Sequence, residues 1–158
     1  MICFAAAPGR GRRVFSRMKK FPSGALKRPL LMPADRLSAI EFVDMMLPPR
    51  LHLDLLISGG PTEPDHLTSI AGVFNVATAL AYLHRDARAI PFYESAGASL
   101  IDIARRGLHD DATVRRLIRA FNAAEADLAA CGRLELLRAV QLVRQQIHSG
   151  QATPLLAA

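Results

Sequence analysis

The segment LTSIAGVFNVATALAYL, residues 67–83, decides the fold of this 158-residue chain, because none of its seventeen residues is charged. A helix that is apolar on all sides has to be buried. Spanning a bilayer takes about 20 predominantly apolar residues. The segment is shorter than that, and it includes Thr68, Ser69, Gly72, Asn75 and Thr78. We therefore predict a central core helix and no membrane partner, with Asn75 a core amide whose hydrogen bonds are satisfied.

The boundaries of this central helix are marked on both sides. Thr62 and Glu63 precede Pro64, which suits the first turn, and Asp65 adds a negative charge near the positive end of the helix dipole. The helical pattern then continues to about Asp86. We predict a helix over residues 64–86.

Upstream, the pattern predicts two helices joined as a hairpin. Pro33 suits a first turn, and apolar residues follow at helical spacing until Pro48 and Pro49, which predict the end of the first helix. A shorter helix over residues 50–58 is expected to stop at the Gly59-Gly60-Pro61 sequence.

Downstream, three more helices are predicted, over about 91–106, from Asp111 to about Gly132, and over 134–147. The chain is rich in Ala and Leu, has no Trp, and has an aromatic content of only 6%, which disfavours a β-rich fold. The predicted fold class is all-α, a compact bundle of five or six helices.

The charge of the chain is distributed unevenly. Nine of the twenty basic residues fall in the first 36 positions against one acid, Asp35, whereas the remaining 122 residues carry eleven basic and thirteen acidic side chains. We predict a flexible basic arm over residues 1–32, a helical domain over 33–149 and a frayed tail over 150–158. Such an arm favours polyanions such as nucleic acid.

The N-terminal sequence leaves two alternatives open. Met18, followed by Lys19 and Lys20, makes an alternative translation start, which would place residues 1–17 upstream of the protein. A leader that contains Ser and Arg but few acids also has the composition of an organellar transit peptide. The order of charges does not fit an export signal. Cys3 and Cys131 form no closely spaced pair, which favours a reducing compartment and a cytoplasmic location.

One motif has functional content. Residues 100–119, LIDIARRGLHDDATVRRLIR, resemble a helix-turn-helix, in which a small residue lets two helices touch and a Gly makes the turn. Ala104, Val114 and Leu117 occupy the positions of the helix contact and its anchors. The order at the turn departs from the common pattern, since Gly107 precedes Leu108 rather than following an apolar residue.

The resemblance implies DNA binding. The candidate nucleic-acid-binding residues are Thr113, Arg115, Arg116 and Arg119 on the second helix and Lys19, Lys20, Lys27 and Arg28 on the arm. Asp110 and Asp111 support the alternative, since two carboxylates would repel DNA phosphates but are natural caps of an ordinary bundle helix.

No pattern of residues indicates catalysis. Glu63 and His66 have the spacing of a carboxylate-bridged metal motif, but such sites need a second copy of it, and an N-terminal turn with capping acids explains the pair better. Phosphate-binding, dinucleotide-binding and nucleophile motifs are absent. We therefore expect no enzyme, no metal and no cofactor.

The leading functional hypothesis from the sequence is an accessory or regulatory protein, active in transcription, that associates with DNA. The alternative is a bundle that binds another protein or a second copy of itself through apolar helix surfaces, with no nucleic-acid role.

Overall fold

The computed structural model describes residues 36–107 and 110–149, and these form five α-helices. The helices are α1 (Ala39–Ile57), α2 (Pro64–His84), α3 (Ala89–Arg106), α4 (Asp111–Ala130) and α5 (Arg133–His148). No strand occurs within these residues, so the all-α prediction is confirmed. The predicted arm and tail, with Lys19, Lys20, Lys27 and Arg28, lie outside the described residues.

Helix α2 is the centre of the bundle, as the sequence predicts. It packs against each of the other four helices, and nearly every residue from Leu67 to Ala81 is buried. Phe74 meets Phe121 of α4 edge to face, with ring centroids 6.4 Å apart. Among the described helices, only α2 has the length and hydropathy of a membrane span, and 67% of that apolar window is buried inside the bundle. This burial is what a core helix requires.

The polar residues of α2 are accommodated in two different ways. The Thr78 hydroxyl donates a hydrogen bond to the Phe74 carbonyl oxygen at 2.7 Å, which satisfies it within the helix. Asn75 is 4% exposed, and its Nδ2 has no hydrogen-bond partner within residues 36–107 and 110–149. The prediction of a satisfied core amide is therefore wrong for this nitrogen, which burial also separates from water.

The predicted hairpin at Pro48 and Pro49 is wrong, because α1 continues through both prolines. A proline inside a helix removes one backbone hydrogen bond and costs about 3 kcal/mol. Here Leu53 and Leu56, which follow the prolines, are 4% and 2% exposed. Burying each leucine contributes about 1.5–3 kcal/mol, so continuing the helix into the core offsets the missing hydrogen bonds.

The start of α1 also differs from the prediction. It lies at Ala39 rather than near Pro33, and Ser38 is the N-cap. The Glu41 backbone N–H donates to the Ser38 hydroxyl at 3.2 Å, and the Ser38 N–H donates to the Glu41 carboxylate at 2.9 Å. This reciprocal capping box satisfies two donors that the first turn of a helix leaves free, and it fixes the beginning of α1.

The other helix ends agree with the sequence to within two or three residues. Asp110 caps α4 by accepting the Thr113 backbone N–H at 2.7 Å. Gly107 ends α3 with φ of 62°, a left-handed conformation that glycine adopts without strain. Arg85 ends α2 in the same region, with φ of 59°.

Candidate interaction surfaces

Helix α1 has two apolar faces on opposite sides. Met46, Pro49, Leu53 and Leu56 are buried against the bundle. Five other apolar residues form a stripe on the opposite side, at the three- and four-residue spacing that places side chains on one face. They are Ile40, Val43, Leu47, Leu51 and Leu55, exposed by 75%, 55%, 50%, 53% and 39%. We call these five residues the α1 apolar face.

The size of this face distinguishes it from scattered surface leucines. At a rise of about 1.5 Å per residue, it extends about 22 Å along α1 from Ile40 to Leu55. Single exposed apolar residues are normal on protein surfaces, whereas a contiguous apolar strip marks an interaction site. The bundle itself does not explain the face, since all five side chains point away from the core.

Two carboxylates lie within the α1 apolar face and have no ion-pair partner among the described residues. At about 100° of rotation per residue, Asp44 and Asp54 fall on either side of its midline, about 15 Å apart along the helix. Both are exposed, and neither forms an ion pair within the described part of the chain. The face is therefore apolar along its centre and negatively charged at two points.

The remaining charged residues of α1 are directed elsewhere. Arg50 forms an ion pair with Glu125 of α4, and its guanidinium carbon lies 5.6 Å from the centroid of the Phe121 ring. Glu41 pairs with Arg133 of α5 at 2.8 Å, and its pKa is lowered, first by the Ser38 backbone N–H. These contacts tie α1 to the bundle, and Asp44 and Asp54 are the charges of α1 that form no ion pair with any other described residue.

An apolar groove of about 330 Å³ runs beside α1, between that helix, α2 and α5. Its lining includes Met45 and Pro48 of α1, Ser69 and Gly72 of α2, and Val140 of α5. The groove exists because Ser69 and Gly72 are too small to fill the space opposite the prolines. It adds apolar surface next to the α1 apolar face.

Helix α4 carries the second surface, formed by three of the candidate DNA contacts. Arg115, Arg116 and Arg119 are exposed, and their three- and four-residue spacing places them on one face. We call these three residues the arginine ridge. None of them forms an ion pair within the described residues, although the Arg119 Nε donates to the Arg115 carbonyl oxygen at 3.4 Å. The sequence predicted this grouping.

Thr113, the fourth candidate on this helix, has a structural position. It is half-buried, and its backbone N–H donates to the Asp110 carboxylate. That hydrogen bond lowers the pKa of Asp110, with Arg116 adding a smaller electrostatic effect. A negatively charged cap therefore lies at the start of the arginine ridge, as the capping interpretation of Asp110 predicted.

The helix contact implied by the helix-turn-helix resemblance is not reproduced. Ala104, the small residue expected where the two helices touch, is exposed, whereas Leu100 and Ile103 are buried instead. Leu117 is buried as expected for an anchor, at 1% exposure, and Val114 is half-buried. Leu108, at the turn, lies outside the described residues. The segment thus has two helices and a turn, but its contact face is rotated from the resembled one.

The polar pairs elsewhere in the bundle have structural roles. The Glu63 backbone N–H donates to His66 Nδ1 at 3.3 Å, which agrees with the capping interpretation of these two residues. The Tyr93 hydroxyl donates to Asp127 at 2.6 Å and joins α3 to α4. Burial raises the pKa of the Cys131 thiol to about 11, which disfavours the reactive thiolate. Within the described ranges, no three His, Cys, Asp or Glu side chains are placed to hold a metal ion.

The α1 apolar face is the surface feature that the sequence interpretation missed. Its signal is present in the sequence, since apolar residues occupy both sides of the helical repeat between Ile40 and Leu56. The predicted break at Pro48 concealed it, because each half alone is too short to reveal two continuous faces.

Comparisons of the chain with protein families, with curated proteins and with solved structures find no match.

Proposed function

We propose that this protein is a non-catalytic interaction module that binds a helix of another protein along the α1 apolar face. The observation that carries the proposal is the exposure of five apolar side chains on one side of a helix whose opposite side is already buried in the bundle. Amphipathic helices dock on apolar surfaces through residues at this same three- and four-residue spacing.

The length of the face supports a helical occupant. A strip of about 22 Å matches four turns of a docked helix. The central residues Leu47 and Leu51 are half exposed, so a partner would remove substantial apolar area from water at each of them. The groove beside Met45 and Pro48 offers space for a side chain projecting from such a helix.

The proposal is tested with a synthetic helical peptide whose leucines follow the same spacing and whose other positions are Ala and Gln. We expect this neutral peptide to bind the full chain in a fluorescence titration, and the double variant Leu47→Glu/Leu51→Glu to lose at least tenfold in affinity. The matched control is Leu137→Glu on α5, because Leu137 and Leu51 are equally exposed at 53%.

Two outcomes decide the proposal. Binding that survives the double variant, or that Leu137→Glu weakens equally, would contradict docking on the α1 apolar face. Loss confined to the double variant, with the helical circular dichroism unchanged, would support it.

The arginine ridge favours a second candidate function, association with DNA. Three exposed arginines without carboxylate partners in the described chain suit phosphate contacts. The basic residues of the sequence before Arg36 add charge of the same sign. Asp110 and Asp111 at the start of α4 oppose this association, and Ala104 lacks the contact expected in a helix-turn-helix. The DNA function therefore ranks second.

The DNA candidate is tested by titrating duplex DNA with the full chain at several salt concentrations. Each phosphate contact contributes about 0.9 to the slope of log K against log salt. We expect Arg115→Gln/Arg119→Gln to reduce the slope by about 2, and substitution of Lys19, Lys20, Lys27 and Arg28 by Gln to reduce it further. No binding at low salt, or an unchanged slope in both variants, would eliminate this function.

A further inference from the structure

We infer that the helix bound by the α1 apolar face is basic, with two Lys or Arg side chains about 15 Å apart beside its apolar stripe. This inference rests on the proposed docking function and specifies the chemistry of the partner. It follows from the two carboxylates, Asp44 and Asp54, that lie within the face and have no ion pair in the described chain.

The positions of these carboxylates select the charge of the partner. A helix docked over Leu47 would bring its own flanking side chains close to Asp44 near one end and to Asp54 near the other. Acidic side chains there would repel both carboxylates, and neutral ones would leave them partly desolvated without a partner. Basic side chains form ion pairs at both ends.

The other charges on α1 do not weaken this selection. Arg50, the only Lys or Arg within α1, is held by Glu125 and lies over Phe121. Glu41 is paired with Arg133. Each of these contacts turns a charge toward the bundle, so the net charge that a docked helix meets on α1 is negative.

The spacing of the charges defines the probe. Asp44 and Asp54 are ten residues apart, and a helix rises about 1.5 Å per residue. Lysines eleven residues apart on a docked helix lie about 16 Å from one another on nearly the same side, within reach of both carboxylates because the lysine side chain is long and flexible.

The experiment extends the neutral peptide titration with two charged versions, one with Lys and one with Glu at the two positions. We expect the Lys peptide to bind the full chain about three- to tenfold more tightly than the neutral one at low salt, since an exposed ion pair contributes modestly. We expect the Glu peptide to bind more weakly than the neutral one. Both differences should largely vanish near 1 M salt.

Charge exchange on the protein is the second arm of the experiment. Asp44→Lys/Asp54→Lys should reverse the preference, so that the Glu peptide binds best. The matched control is Asp102→Lys, an exposed aspartate on α3, which should leave the order of the three peptides unchanged.

The outcomes separate this inference from the function on which it rests. Equal binding of the Lys and neutral peptides would overturn the basic partner while docking stands. Failure of all three peptides would overturn both. Sedimentation of the full chain as a dimer that Leu47→Glu dissociates would show a second copy on this face and would also overturn the inference.

Discussion

Asn75 places an amide nitrogen in the core of this bundle without a hydrogen-bond partner among the described residues. Its Nδ2 is buried in α2 without a hydrogen-bond partner, and such a group costs about 1–3 kcal/mol. We expect Asn75→Leu, which keeps four side-chain heavy atoms branched at Cγ, to raise the free energy of unfolding by about 1 kcal/mol in urea titrations. A loss of more than 1 kcal/mol would instead show that the amide is needed where it lies.

A neighbour on the same helix provides the control. Thr78 is fully buried, and its hydroxyl donates to the Phe74 carbonyl oxygen. Thr78→Val removes a satisfied group rather than an unsatisfied one, so it should give no comparable gain. Equal stabilisation by both variants would point to added apolar burial alone, not to the unpaired amide nitrogen.

His52 makes the stability of the bundle depend on pH. Burial lowers its pKa first, and the nearby His66, whose ring stacks 4.4 Å away, lowers it further, while Asp65 opposes the shift. The folded protein therefore binds a proton less readily than the unfolded chain. The contribution of His52 to the free energy of unfolding is fully present above the unfolded pKa of about 6.5. It is lost as the pH falls below that value toward the folded pKa.

We expect the urea midpoint to fall between pH 8 and pH 5 in the native protein and to change less in His52→Gln. The lowered pKa values of Glu41, Asp86 and Asp110 act in a separate window, near and below about pH 4. An equal decline in both proteins between pH 8 and pH 5 would assign this dependence to another group.

At the scale of the element, α1 is distinguished by the two prolines in its interior. Pro48 is exposed and lacks the N–H that would bond to the Asp44 carbonyl oxygen, whereas Pro49 is buried against the groove. We expect Pro48→Ala to raise the unfolding free energy by about 1–2 kcal/mol, because the hydrogen bond that the helix gains outweighs the entropy that the unfolded chain also gains. Pro49→Ala should gain less, since it also removes buried atoms.

This pair of variants also tests the course of α1. If the chain turned at Pro48 as a hairpin, alanine would loosen the turn and lower the stability. A stabilised Pro48→Ala protein is compatible only with the continuous helix.

The contrast between α1 and the other helices shows how far the sequence determines this fold. Helices α2 to α5 were predicted to within a few residues, because local features mark their ends: Pro64, Asp110, Gly107 and the apolar period between them. Such signals act over one turn and need no tertiary information. Because these local signals identified the helices correctly, they were sufficient for the all-α prediction.

Helix α1 was divided wrongly because its continuity depends on tertiary packing. The burial of Leu53 and Leu56 outweighs the local preference of Pro48 to end a helix, and no local rule contains that energy. The arginine ridge was predictable from spacing alone. The α1 apolar face was missed, since the predicted break at Pro48 divided its apolar period, and periodicity alone cannot say which of two apolar sides the bundle covers.

At the scale of the whole molecule, the two candidate surfaces lie on helices joined by one ion pair. Arg50 and Glu125 connect α1 to α4. The two surfaces differ in charge, since the α1 apolar face includes the carboxylates Asp44 and Asp54 and the arginine ridge is positively charged. The salt dependence of binding distinguishes the two surfaces. DNA binding through Arg115 and its neighbours would weaken steeply with salt, whereas docking on α1 keeps its apolar contribution at every ionic strength.

Leu53 and Leu51 of α1 separate the residues that stabilise the fold from those proposed to bind a partner. Leu53 is 4% exposed on the core side of α1, and Leu51 is 53% exposed on its apolar face. Leu53→Ala should lower the unfolding free energy by about 2–5 kcal/mol, because it leaves a cavity beneath α1. Leu51→Gln removes no core contact and should change it by less than about 0.5 kcal/mol. Urea titration of each variant beside the neutral peptide titration checks both effects. Weakened peptide binding by Leu51→Gln at unchanged stability is the combination that docking requires, whereas a destabilised Leu51→Gln protein would mean that this face supports the fold itself.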